Sequence, residues 1–286
     1  MLLWRGWSNL RLLEQTSGKQ MADQPNSETP QAVINALLAS GFPFQTAVAQ
    51  VVRQCRGYRL VGEEVAWRDD TGTDQFLDLV AQRGHVVLPI ECKKTQKEML
   101  TFLRPSPADR DVNRTRCVYL TQIQDSTRRS ALFCSDWQLM PKSAESGFCV
   151  VSTSASGKDQ RMLERDVQQL VRGTDAYAQR YKHDRNANVA WQDTLIVPLL
   201  VTNAKLFVAE YDPADVSLDT GQFAMPLPAK VLPARWVRFR KAFTSAGKDV
   251  GDRTVFVIAA PAFPEFLGKL DTLSNGPSPD GRVRIP

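Results

Sequence analysis

Two carboxylates and an ammonium fall within one short stretch of this chain. Residues 76 to 94 read Phe-Leu-Asp-Leu-Val-Ala-Gln-Arg-Gly-His-Val-Val-Leu-Pro-Ile-Glu-Cys-Lys-Lys. Two apolar, partly β-branched runs flank a polar Gln82-Arg83-Gly84-His85 turn, the pattern of a β-hairpin in which Gly84 can take φ > 0. A two-residue loop at Arg83-Gly84 and a four-residue loop from Gln82 to His85 give the same register. That register places Asp78 opposite Pro89, with Glu91 its diagonal neighbour on the same face, on the order of 7 Å away by Cα. Lys93 shares the face because side chains alternate along a strand, while Leu88, Ile90 and Cys92 point the other way and read as core. Carboxylates this close repel. A hard divalent cation between them, Mg²⁺ or Mn²⁺ as its substitute, removes the repulsion and polarises a phosphate oxygen. A lysine alongside can orient or activate water and offset charge building in the transition state. The grouping therefore suits metal-assisted phosphodiester hydrolysis. The plain alternative is that Asp, Glu and Lys near strand ends are merely solvated, since an acid followed by Glu-x-Lys is a weak pattern alone.

Context narrows the choice. The spacing of Asp78 and Glu91-Cys92-Lys93 resembles the PD-(D/E)XK nuclease superfamily, in which an acidic residue on one strand is followed by (D/E)-x-K on the next. A helix carrying Phe44-Gln45-x-x-Val48 and a Gly57-Tyr58 turn precede them, in the order of restriction-endonuclease-like members. The resemblance covers residues 40 to 95 well and the remainder loosely. It implies a restriction-endonuclease-like core, Mg²⁺, nucleic acid (DNA foremost) as partner, and Asp78, Glu91 and Lys93 as the catalytic set, with Asp78 and Glu91 holding the metal. Members often carry a glutamate on the first helix near the metal; this chain has Gln45 there, a weaker ligand. Glu63 or Glu64 on the following strand is the alternative source of a carboxylate. Pro89 departs from a central strand because it lacks the ladder donor.

The elements that must hold these residues are legible in order. Thr29-Pro30 opens a helix that Gly41 ends. A second runs from about Pro43 with Phe44, Val48, Val51, Val52 and Cys55 on one face, so it packs on the sheet with Gln45 at the edge of its stripe. Tyr58 to Trp67 reads as the first strand. Beyond Lys94 the run through Leu100, Phe102 and Leu103 reads as helix or loop. Residues 104 to 129 are rich in arginine, Arg114 and Arg116 among them, either a phosphate-contacting surface or a solvated loop. Further strands are expected near Cys117–Leu120, Ala131–Cys134 and Phe148–Ser152. Lys158 to Tyr181 is a helix by the repeat of Leu163, Val167, Leu170, Val171 and Thr174. Thr194 to Tyr211 reads as two core strands joined at residues 202–205, and the proline-rich residues 212–234 as a long connecting loop. Arg235 to Lys241 alternates, placing Arg238 and Arg240 on a basic outer face suited to nucleic acid. A strand at Arg253–Ala259 and a short helix at Pro264–Leu270 close the pattern.

The fold class expected is α/β, a central mixed β-sheet flanked by helices, with extra strands C-terminal to the nuclease-like core. Residues 29–272 form that domain, residues 1–28 a disordered extension in which Met21 offers a second start, and residues 273–286 a disordered tail. At 286 residues, with 23% charged and 43% apolar, the chain can bury a substantial core. Its 36 Lys and Arg exceed 31 Asp and Glu, which is compatible with an acidic polymer as partner. Five cysteines without a CxxC pair, and only two histidines, argue against a zinc module or disulfide framework and for a reducing, cytoplasmic setting. No apolar run approaches membrane-spanning length. The rival function is a catalytically inactive nuclease-fold protein that binds nucleic acid or serves in an assembly, motivated by Gln45 and by the strands beyond the core.

Overall fold

The computed structural model of the chain describes residues 29–69, 71–95, 99–106, 112–122, 130–152, 162–186, 193–223, 230–245 and 248–272. The expected disorder of residues 1–28 and 273–286 lies outside these. The chain divides into two units, Met1–Ala39 and Ser40–Pro286. The first contributes helix α1 (Thr29–Ala39), with Val33, Ile34, Leu37 and Leu38 exposed; the α/β domain itself is the second unit.

That unit begins with α2 (Phe42–Gln54), β1 (Arg59–Arg68), β2 (Asp74–Arg83), β3 (Val86–Lys93), β4 (Met99–Pro105), β5 (Val112–Gln122), β6 (Ser130–Ser143), β7 (Glu145–Ser146) and β8 (Phe148–Ser152). It continues with α3 (Met162–Asn186), β9 (Thr194–Ile196), β10 (Leu199–Thr202), β11 (Lys205–Tyr211), β12 (Lys230–Ala234), β13 (Trp236–Ser245), β14 (Lys248–Ala259), α4 (Phe263–Lys269) and β15 (Asp271–Thr272). The result is a mixed sheet flanked by helices. Among the described residues no single helix is long and apolar enough to cross a membrane.

β3 is the axis of the large sheet. β2 pairs with it antiparallel on one side; on the other lie β9 and then β10, both parallel to it. From β9 one arm runs through β5, β6 and β15, and from β10 another through β14, β13 and β7. This arrangement accommodates Pro89. Val197 donates its N–H to the Val87 carbonyl at 2.9 Å, and β9 gives way to β10 at Val197-Pro198, so the donor that Pro89 lacks falls where its neighbour is itself interrupted. Val86 to Ile90 are buried throughout, because helices cover both faces. α2 and α4 place Val48, Val52, Phe263 and Phe266 against Leu79, Leu88, Ile90 and Phe256. On the other side Leu163, Val167, Leu170 and Val171 of α3 pack on Val80, Val87 and Leu200.

Three expectations change. Residues 99–105 are a strand, β4, in which Leu100 and Phe102 are buried at alternate positions. The two strands of residues 194–211 are three, and they do not form a hairpin. After the turn at Asn203-Ala204 the chain leaves the large sheet, and β11 lies parallel to β4 in a second, four-stranded sheet of order β12-β11-β4-β8. The supposed loop of residues 212–234 supplies β12, its edge strand. Proline at Pro233 is tolerated there because an edge strand has one side unpaired.

α3 approaches the sheet closely at Gly173, where an added Cβ would stand 2.7 Å from Leu77 Cδ2 and 2.9 Å from Trp67 Nε1. Leu77 is buried and cannot step aside. Ala is favoured over Gly in a helix by about 1 kcal/mol, but overpacking costs on the order of 1–3 kcal/mol. Gly173→Ala should therefore lower stability in urea unfolding; a gain would mean that the helix and sheet separate at little cost.

Candidate active site

The sheet brings the acidic residues together at the C-terminal end of β3. The hairpin loop is Gly84-His85, with Gly84 at φ +54 and Arg83 paired with Val86. This register differs by two residues from the expected one. The same-face relation survives the shift, and the two residues move closer in register. The ladder ends at Leu79–Ile90, and one step further Asp78 stands directly across from Glu91. There the Asp78 side chain replaces the ladder, its Oδ2 accepting the Cys92 N–H at 2.7 Å.

Lys93 meets a partner that the sequence reading missed. Asp166 of α3 reaches it, Oδ2 to Nζ at 2.8 Å. Asp166 sits among Leu163, Val167 and Leu170 on the buried stripe of that helix. A carboxylate in an apolar stripe was the available signal, since such a residue needs a partner.

Gln45 is buried on α2. Its Nε2 donates to Glu64 Oε1 at 2.6 Å and to the Asp78 carbonyl at 3.1 Å. It acts here as a hydrogen-bond donor, joining β1 and β2. Glu63, the expected alternative ligand, is turned away: it is exposed and ion-paired with Arg53. Its neighbour Glu64 faces the site instead.

The electrostatics follow from crowding. Burial pushes the Asp78 carboxyl up to about 6, and the charge of Glu64 adds to this, against the pull of the Cys92 N–H and Lys93. Glu91 is pushed up to about 8, first by burial, then by Asp78 and Asp166, with Lys93 opposing. Its Oε2 is buried and has no hydrogen-bond partner. A buried carboxylate oxygen without a donor, facing a second acid, is the donor set a hard cation takes. Among the described residues no three His, Cys, Asp or Glu side chains are gathered closely enough to enclose a metal. Mg²⁺ does not demand that: it commonly takes one or two carboxylates and keeps waters and substrate oxygens for the rest. Asp78 and Glu91 thus fit the group that the nuclease resemblance implies.

The raised carboxyl has a consequence in the cation-free protein. Unfolded, Glu91 ionises near pH ~4.3; folded, it does so at about 8. Between these values the folded chain holds a proton that the unfolded chain has lost, so stability falls as pH rises through the window. Glu91→Gln should remove its share of that slope, raising Tm in EDTA near pH 8 and leaving it little changed near pH 4. Calorimetry across pH checks this; parallel profiles for the two proteins would show that Glu91 carries no such penalty.

The expected nucleic-acid surface is corrected at Arg238. Arg238 is fully buried, its guanidinium donating to Thr115 Oγ1 (3.1 Å), the Pro141 carbonyl (2.9 Å), Ser143 Oγ (2.7 Å) and the Leu139 carbonyl (2.6 Å). Strand alternation separates two faces, but both faces of β13 are covered at this point. Arg240, Arg114 and Arg116 all pair with Asp136, at 3.3, 2.6 and 3.5 Å. Arg240 also meets Asp252 at 3.4 Å. These guanidiniums gather around one acid, and Arg114 among them is exposed.

Comparison with family models, with curated proteins and with solved structures returned no match to this chain.

Proposed function

We propose that this chain is a Mg²⁺-dependent phosphodiesterase acting on nucleic acid, DNA foremost, on a restriction-endonuclease-like core. The observation that carries the reading is the unpartnered buried oxygen of Glu91 directly across from Asp78, beside Lys93. The order of the first elements supports it: helix α2 is followed by the antiparallel strands β1, β2 and β3, with Asp78 on β2 and Glu91-Cys92-Lys93 on β3, in the order the resemblance implies.

Asp78 and Glu91 would hold the ion, which when bound polarises the phosphate and acidifies a water. The chain's own groups do the remainder. The Cys92 N–H fixes one oxygen of Asp78, leaving the other for the cation. Lys93 offers its ammonium to the attacking water and to the negative charge gathering on phosphate oxygens. Asp166 fixes the direction of that ammonium. The helices on both faces keep bulk water from the buried side of the pair, which strengthens each of these interactions.

A second reading, nucleic-acid binding without hydrolysis, is favoured by Gln45, an amide where the resemblance implies an acid. The two are separated by incubating the protein with supercoiled plasmid, linear duplex and single-stranded DNA in Mg²⁺, Mn²⁺ or EDTA. We expect cleavage in Mg²⁺ and Mn²⁺ and none in EDTA. Binding of these substrates with no metal-dependent cleavage of any of them would leave the binding module standing and remove the enzyme.

A further inference from the structure

We propose that the outer face of the small sheet, β12-β11-β4-β8, is the surface on which a second copy of this chain docks, sheet face against sheet face across a two-fold axis. The inference goes beyond the acids at the end of β3 and does not rest on them.

Its first support is a residue pattern unlike that of a sheet with one wet side. One face of the small sheet is core: Leu100, Phe102, Val151, Leu206 and Val208 pack with Leu163 of α3. Along each strand the alternate residues should then be polar and face water. They are not. Register sets Phe148, Leu103, Ala209 and Val231 in one row across the four strands, and Val150, Thr101, Phe207 and Pro233 in the next. Met99 continues the face beside Lys205. Phe148 is 62% exposed, Val231 51%, Met99 40% and Val150 39%. At the opposite end Tyr211, two residues beyond Ala209 on the same face, already meets Phe223 edge-on at 5.1 Å between ring centroids. The open rows lie between these ends. Apolar side chains that adjoin across a whole sheet face, instead of being scattered singly, mark an interaction surface.

Charge and size say what covers it. Neither row contains an ionisable residue, and Lys205 stands at the margin. A nucleic-acid phosphate would find one cation there, and an unlike protein would find no charge pattern by which to be selected. A copy of the same face meets it without like-charge cost, and a two-fold axis lets one patch serve both sides. Two sheets of equal twist also fit closely, with their strands within ~30° of each other and the sheets ~10 Å apart. Four strands spaced ~4.8 Å apart, with the seven residues of β4 rising ~3.3 Å each, give a face of roughly 400 Å² in projection. Two such faces make about 800 Å², and the protruding side chains add accessible area, which brings the total near the ~1,000 Å² at which specific interfaces begin. A single helix or strand laid on this face would leave part of it in water. A second sheet covers all of it, in a dimer small enough to be reversible. The outer strand β12 carries Pro233, a residue that edge strands use against edge-to-edge pairing, so the face is the better route to association than that edge.

The test is the mass of the full chain in solution, by sedimentation equilibrium from about 1 to about 100 µM, the range in which an interface of this size dissociates. Wild type should pass from the mass of one chain toward twice that mass as concentration rises. Phe148→Arg and Val231→Arg, at the two edges of the face, should each raise the dimer dissociation constant at least ten-fold. Both side chains are exposed in the single chain, so neither change should lower the midpoint of urea unfolding at the dilute end. Val61→Arg adds the same charge at an exposed apolar position on β1 and should dimerise as wild type does. A wild type that stays monomeric throughout overturns the inference, whether the face is then bare, covered by another segment of the chain or kept for a different protein. A dimer that both face variants leave intact uses another surface, and a dimer that Val61→Arg weakens equally responds to charge alone; either result overturns it as well. If one face variant unfolds more readily, the other decides; if both do, the face is packed within one copy and the inference falls. No cleavage is read, so these outcomes leave the reading of Asp78 and Glu91 untouched.

Discussion

Lys93→Ala should lower the single-turnover cleavage rate by a factor on the order of 10² or more, with substrate affinity nearly unchanged. The magnitude is that of removing one electrostatic stabiliser from a preorganised site, and the split follows from where the ammonium acts. It sits 2.8 Å from Asp166, already neutralised in the ground state, so it contributes little to holding a phosphate and most when charge accumulates during displacement. Asp78→Ala should act differently, abolishing any metal-dependent cleavage and the response of the protein to Mg²⁺. Single-turnover kinetics with a labelled duplex, together with binding in Ca²⁺, distinguish the two. A Lys93→Ala protein that cuts at the wild-type rate would remove the lysine from the chemistry. One that loses affinity in proportion to rate would make it a phosphate anchor instead.

Arg238→Ala should cost at least ~3 kcal/mol of stability, the scale of breaking a buried charged network. The change strips donors from two carbonyls and two hydroxyls at once, in a place without solvent access. It also removes the cation held 4.6 Å above the Phe256 ring. Arg238→Lys should recover only part of the loss, because an ammonium cannot reproduce the planar fork that reaches β5 and β6 together. Urea unfolding with a fixed m-value gives the comparison. A loss below about 1 kcal/mol would mean that those carbonyls find other donors.

The shared face of Asp78 and Glu91 was legible because hydrophobic alternation fixes which side chains lie together, and that holds even when the register is off by two residues. Asp78, Glu91 and Lys93 needed nothing more. The register itself depends on whether Gly84 begins or ends the turn, and a tertiary contact decides it: Leu195 donates to the His85 carbonyl at 2.9 Å, tying the loop to β9. The same limit hid the fate of Arg238. A period of two separates faces without saying which one solvent touches, and β13 lies under the β6 segment from Leu139 to Ser143. Glu64 was hidden for another reason. Its orientation comes from a bulge and a left-handed residue, and neither is written in the polar and apolar pattern of β1. α3, by contrast, was clear in its stripe, because a long apolar stripe at helical spacing has few other uses, although the helix runs past the expected Tyr181 to Asn186.

The pairing of Lys93 with Asp166 also orders events in time as the chain folds. The β2–β3 hairpin closes over a two-residue loop, so Asp78 and Glu91 meet at small entropic cost and early. β10, which flanks β3, and α3, which carries Asp166, lie far along the chain and must be brought back across long loops, the slow kind of contact. On a chain emerging N-terminus first, the carboxylates are therefore in place before the lysine acquires its counter-ion, and before β10 and α3 close over the second side and the face of β3. Asp78, Glu91 and Lys93 are close in sequence, but the elements that surround them arrive last, so a nascent chain carries the acids without the counter-ion of Lys93 and without the cover of α3 and β10.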